Sequence, residues 1–154
     1  MRSLGDDYDA ILLASAGLKR LDLSAEKGEC DPMERGHLHE LDLDPRVYVP
    51  APSQGCLALQ CRRSDTDACD LVGQLDHPTT HRAVRAERAL LTLVEAGCQV
   101  AFGAYATETA NGDLELIAAL EVDGSVRRAS ASGADPDQLA AVVHGLLLPK
   151  KVKP

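Results

Sequence analysis

Few residues in this chain have the type and setting to do chemistry. Cys98 follows Gly97 where a long helical pattern ends and strand-like residues begin, within Glu95-Ala96-Gly97-Cys98-Gln99-Val100-Ala101-Phe102-Gly103-Ala104. Glycine suits the C′ position of a helix because a left-handed backbone costs it almost nothing. The other four of the five cysteines stand at 30, 56, 61 and 69, irregularly spaced and without a CxxC pair. A lone corner cysteine such as Cys98 is more often a packed small hydrophobe than a reactive group. Arg20 closes Ser15-Ala16-Gly17-Leu18-Lys19-Arg20, and its planar fork is suited to a carboxylate through two parallel hydrogen bonds. Gln54-Gly55 follows Pro50-Ala51-Pro52-Ser53, a sequence for a tight turn carrying an amide side chain. Cys30, His37 and His39 share a charged stretch, but zinc sites use tighter ligand pairs and no metal site is assigned. His77, His81 and His144 read as surface residues.

These residues need elements to hold them. Tyr8-Asp9-Ala10-Ile11-Leu12-Leu13-Ala14 reads as a short buried strand leading through Ser15 into a short helix, and a strand running into a helix N-terminus is a ready place for anions. Asp22 to Arg46 is rich in charge, glycine and proline and carries no period. Cys56 to Arg62 alternates enough to be a strand, with Cys61 a packed residue on it. Asp65 to Leu75 has helical spacing at Ala68, Leu71, Val72 and Leu75. Thr80 to Ala96 is the clearest helix, with an apolar stripe at Ala83, Val84, Ala86, Leu90, Leu91, Leu93 and Val94, and Pro78 stands at its start. The period then switches to two: Gln99 to Thr109, Asp113 to Val122 and Ser125 to Ser130 read as strands joined at Asn111-Gly112 and Asp123-Gly124. Asp135-Pro136 opens a last helix whose apolar face is Leu139, Val142, Val143, Leu146 and Leu147. The fold class expected is α+β, a three-stranded antiparallel sheet with covering helices.

The totals narrow the function. The chain has 154 residues, 45% hydrophobic and 26% charged, which is ordinary for a folded soluble protein and long enough for a real core. With three Tyr, one Phe and no Trp, that core must be aliphatic. A net charge of −8 argues against nucleic acid, whose phosphates need a basic patch. No apolar run is long enough to span a membrane and no export pattern is present, so a reduced cytoplasmic protein is expected.

Three stretches share a further property. Asp9-Ala10-Ile11-Leu12-Leu13-Ala14-Ser15-Ala16-Gly17-Leu18-Lys19-Arg20-Leu21, then Pro52-Ser53-Gln54-Gly55-Cys56-Leu57 with Cys61-Arg62, then Arg85-Ala86-Glu87-Arg88-Ala89 with Gly97-Cys98-Gln99-Val100, resemble in order the motifs of the porphobilinogen deaminase (hydroxymethylbilane synthase) family. The resemblance covers nearly the whole chain and needs no gap between Gln54 and Cys98. It implies that Cys98 carries a dipyrromethane cofactor through a thioether, that Arg20 binds carboxylates of cofactor or product, and that Gln54, Gly55 and the backbone near Ala14 line the same cleft. It implies the family's reaction, a transferase step of tetrapyrrole (haem, chlorophyll, cobalamin) biosynthesis joining four porphobilinogen molecules head to tail with loss of ammonia. A thioether suits Cys98: at a helix C-terminus the macrodipole disfavours a thiolate, which is a poor setting for repeated nucleophilic turnover but no obstacle to a bond made once.

The same resemblance implies a domain layout. Residues 1–63 correspond to the end of the family's second periplasmic-binding-protein-like α/β domain and the strand returning to the first, as remnant strand and helix elements. Residues 64–154 correspond to the cofactor-attachment domain. No residue of this chain matches the family's catalytic aspartate, Arg20 alone matches its cleft arginines, and Ala101 stands where the family has proline. The expectation is a C-terminal portion inactive alone, working with a complementary N-terminal chain. The alternatives are a non-catalytic remnant and a protein-interaction module, whose uncovered edges predict self-association.

Overall fold

The computed structural model describes residues 8–21, 41–94 and 100–148. The chain divides into two compact units, Met1–Asp42 and Leu43–Pro154.

In the first unit a six-residue helix, α1 (Ser15–Arg20), follows Ala14, whose backbone is extended. The turn expected after Ala14 is present: the N–H groups of Gly17 and Leu18 both donate to the Ala14 carbonyl, at 2.9 and 3.3 Å. The buried strand expected over Tyr8–Ala14 is not. Residues 10–14 belong to no strand and Leu12 is 82% exposed. An apolar run becomes a buried strand only with ladder partners and a covering layer, and period alone supplies neither.

The second unit carries the core. Helix α2 (Thr66–Gly73) and the long α3 (Pro78–Val94) lead to strands β1 (Phe102–Glu108), β2 (Leu114–Val122) and β3 (Ser125–Gly133), and α4 (Pro136–Leu147) closes the fold. The strands pair antiparallel in the order β1-β2-β3, with Tyr105 opposite Ile117 and Ala118 opposite Ala129. The expected α+β unit of three strands and covering helices is therefore present. Asp123 and Gly124, at φ 53° and 76°, form the two-residue turn between Val122 and Ser125, the left-handed pair that a tight hairpin requires. The first hairpin is longer: Thr109 and Asp113 close it through a 2.8 Å backbone bond, with Gly112 at φ 84°.

Period two along β2 puts Leu114, Leu116, Ala118 and Leu120 on the face beneath α3 and α4. Each leucine so buried contributes about 1.5–3 kcal/mol. The facing residues of β1 are small, Ala104 and Ala106, as are Ala83 and Ala86 of α3 and Ala140 of α4. The apolar face of α4 is turned from the expected one: Ala140 is buried, whereas Val142 and Leu146 are 54% and 57% exposed. Size misled there, since a close helix–sheet approach selects alanine over a longer side chain.

Helix ends are held as their residues dictate. Asp65 accepts from the Ala68 N–H at 3.0 Å, and Asp135 from the Gln138 N–H at 2.8 Å with Pro136 beginning α4; each such cap contributes about 1 kcal/mol. His77 accepts from the Thr80 N–H at 3.3 Å at the start of α3. Arg82 donates to the carbonyls of Gly112 and Ala134, at 3.1 and 2.9 Å, and Arg85 pairs with Asp137, so α3 is tied to the first hairpin turn, to the connection after β3 and to α4.

Candidate functional site

The best-defined polar construction among the described residues is the seam where the segment 44–56 meets the edge of the sheet. It begins at Asp44, whose carboxylate accepts from the Arg46 N–H at 2.8 Å while its carbonyl accepts from Val47 and Tyr48. Arg46 pairs with Glu115 of β2, and Arg128 of β3 donates to the carbonyls of Arg46 and Val47 at 2.9 and 2.8 Å. The segment thus crosses the sheet face opposite the helices.

At β1 it comes closer still. A Cβ on Gly103 would lie 2.6 Å from the Val49 carbonyl oxygen and 3.0 Å from that of Pro50. No side chain fits there, so glycine is required by contact rather than by conformation. The next residue along, Ala104, donates its N–H to the Pro50 carbonyl at 2.9 Å. β1 is an edge strand, and this bond continues the sheet outward.

Glu87 takes the next position on that edge. Its carboxylate accepts from the Ala106 N–H at 2.8 Å and from the Ser53 N–H at 2.6 Å, joining α3, β1 and the turn. The residue is 6% exposed and is the buried charged residue among the described ones. Burial raises its pKa above the ordinary carboxylate value, against the two backbone N–H groups, which act to lower it.

The turn so held runs from Ala51 to Cys56. Gln54 N–H donates to the Ala51 carbonyl at 3.0 Å and Cys56 N–H to the Ser53 carbonyl at 3.1 Å, with Ser53 at φ 65° and Gly55 at φ 82°. The tight turn expected at Gly55 is present. Gln54 and Gly55 are exposed at its tip, whereas Ser53 Oγ is buried with no hydrogen-bond partner among the described residues. A buried hydroxyl left unpaired costs free energy that a ligand could recover.

Ala14 and Arg20 lie in the first unit, exposed, at the N-cap and the last residue of α1. Cys98 lies outside the described residues, as does Gln99. The second unit therefore brings together Gln54 and Gly55, with Ser53 and Glu87 beside them. Sequence reasoning passed over the last two. A signal existed for Glu87: it lies four residues after Ala83 and three before Leu90, on the stripe that faces the core. For Ser53, whose strain comes from the turn's path, there was none.

The expected strand Cys56–Arg62 is not formed. Residues 56–62 belong to no strand or ladder, Leu57 is 81% exposed, and Cys61 is exposed rather than packed. A strand needs a neighbour to take its hydrogen bonds, and alternation cannot provide one. Arg88 is exposed, and no group of three or more His, Cys, Asp or Glu residues among the described ones could hold a metal.

An antiparallel sheet under two helices, with an incoming segment locked to its edge by a buried glutamate, is the framework. A family model described as porphobilinogen deaminase, dipyromethane cofactor binding domain, matches residues 1–70, and a second, porphobilinogen deaminase, C-terminal domain, matches residues 81–150. A porphobilinogen deaminase of Bacillus cereus is 39% identical over 150 residues, covering 96% of this chain and 45% of that protein. That of Bacillus mycoides is 38% identical over 156 residues, covering 99% and 47%. The chain belongs to the porphobilinogen deaminase family. It spans about half the length of these relatives. The family's cofactor is dipyrromethane.

Proposed function

We propose that this chain is the cofactor-anchoring portion of a hydroxymethylbilane synthase, a transferase that builds a linear tetrapyrrole from porphobilinogen. One observation carries the reading. Glu87, from the Ala-Glu-Arg-Ala motif, bonds the backbone of Ser53, from the Pro-Ser-Gln-Gly motif, and of Ala106 in β1. Two stretches far apart in sequence are thereby fixed to one another. A purely structural domain has no need to display an amide side chain on a turn held this firmly.

The residues present suit a dipyrromethane group, which carries carboxylates and pyrrole N–H groups. Ser53 Oγ is a buried hydroxyl with no partner among the described residues, Gln54 next in sequence is exposed, and Arg20 is exposed. Cys98 is assigned the thioether, Gln54 and Gly55 one wall, and Arg20 with the Ala14 backbone the carboxylate contacts. When bound, the cofactor supplies a covalent tether on which the product is held. This chain's own part is to keep that wall rigid, through Glu87 and the close approach at Gly103. The residues acting on the pyrrole nitrogens are assigned to a complementary N-terminal portion, and the chain alone is inactive. The division into 1–63 and 64–154 belongs to the same proposal, as does a cytoplasmic setting; no helix among the described residues is long and apolar enough to cross a membrane.

Expression in cells that make porphobilinogen, followed by intact-mass measurement, tests the assignment. A dipyrromethane adduct on Cys98, lost in Cys98→Ser, is expected. An unmodified thiol, with no bilane formed even after an N-terminal half is added, would sink it. A second reading, an assembly module of the same fold, draws on the exposure of Leu57, Leu59, Leu71 and Leu75. A monodisperse complex with another protein and no adduct would favour that one.

A further inference from the structure

Two cysteines that the proposed function leaves unused lie against each other. Cys61 Sγ and Cys69 Sγ are 3.5 Å apart across eight positions of sequence. Local structure builds this meeting. Asp65 N–H donates to the Arg62 carbonyl at 3.0 Å, which turns the chain into α2. Asp65 then caps α2, and Cys69 N–H donates to the Asp65 carbonyl at 3.0 Å, placing Cys69 on the first turn of the helix facing back. Cys69 Sγ also lies 3.5 Å from the Arg62 carbonyl oxygen, which fixes its direction. Cys56, by contrast, has its sulfur against the Leu57 carbonyl.

Neither sulfur is sealed in a core, since Cys61 is exposed and Cys69 half-buried. A buried pair of thiols is inert packing, whereas an accessible pair in contact can react as a unit. We propose that Cys61 and Cys69 form a dithiol site that low-molecular-weight disulfides oxidise to an intramolecular disulfide. The thiolate of one cysteine attacks a sulfur of the small disulfide, forming a mixed disulfide and releasing one small thiol. The second cysteine then attacks the protein sulfur of that mixed bond and expels the other small thiol. Two protein protons pass to the two thiols released, and two electrons from the protein reduce the small disulfide. Contact between the sulfurs makes the second step intramolecular, so the mixed species does not accumulate. The new bond ties residues 56–62 to α2, a helix with no buried residue of its own. The site stands independently of the cofactor reading, because it uses neither Cys98 nor the turn at Gln54.

The test uses the full chain in a Cys56→Ser background, reduced, freed of reductant and incubated with oxidised glutathione. Trypsin cuts after Arg62 and Arg63, so the peptides carrying Cys61 and Cys69 stay joined only by a bond between them. The expected result is a linked Cys61–Cys69 peptide two hydrogens lighter than the sum of its two reduced parts and several-fold slower hydrogen exchange in α2, both reversed by dithiothreitol. Cys61→Ser and Cys69→Ser should each retain one glutathione on the remaining partner. Stable glutathione on both cysteines, a linkage to Cys30 or Cys98, or no reaction in a chain whose circular dichroism shows it folded would each overturn the proposal.

Discussion

At the scale of single residues, Glu87 carries the most consequence. Its two acceptor oxygens satisfy the N–H groups of Ser53 and Ala106, and a buried donor left without a partner costs about 1–3 kcal/mol. Glu87→Ala is therefore expected to destabilise the fold by about 2–4 kcal/mol in urea unfolding, with faster hydrogen exchange at Ser53. Its titration has a definite sign. Burial raises the folded pKa above the ordinary value of 4.5, so the folded chain binds this proton more tightly than the unfolded one. The stability from this group is full below the unfolded pKa and is lost as pH rises through the raised folded value. Thermal midpoints of the wild type should accordingly fall towards those of Glu87→Gln over that window, since the amide does not titrate. A gap that widens with pH would mean that the two N–H donors outweigh burial.

At the scale of elements, the close crossing of Val49 and Pro50 over Gly103 is what the site depends on. Gly103→Ala puts a methyl group 2.6 Å from a carbonyl oxygen, so backbone must move, at an expected cost of about 1–3 kcal/mol. Protection of the Ala104 amide should drop in parallel, because its bond to Pro50 depends on the same approach; full protection in a folded variant would show that the segment yields elsewhere. This crossing was not legible in the sequence, where Gly103 reads only as a strand glycine. The hairpin at Asp123-Gly124, the capped start of α4 and the alternation of β2 were legible, because each is settled by residues near one another. Tyr8–Ala14 and Cys56–Arg62 misled for the converse reason: their apolar character is local, but a strand exists only through its partner. Ser53 and Glu87 fall between these cases, being adjacent to recognisable motifs while their roles arise from a contact spanning 34 residues.

At the scale of the whole molecule, apolar surface and net charge act in opposition. Leu57 and Leu59 are 81% and 57% exposed on backbone that belongs to no ladder, and Leu71 and Leu75, 66% and 71% exposed, follow on and just after α2. Such surface favours association, which removes it from water at about 25 cal/mol per Å². A net charge of −8 resists it through repulsion between copies. The repulsion is long-ranged and screened, with a Debye length of about 10 Å at 0.1 M salt, whereas the apolar term barely weakens with salt. Sedimentation velocity should therefore show a concentration-dependent sedimentation coefficient that increases with ionic strength. Leu57→Lys combined with Leu59→Lys should return the chain to a monomer under the same conditions. Association that falls as salt is added, or that survives both lysines, would place the contact on charged groups or on another face. Addition of an N-terminal half that covers the same leucines should abolish self-association in the wild type, and only that outcome links this surface to the proposed complementation.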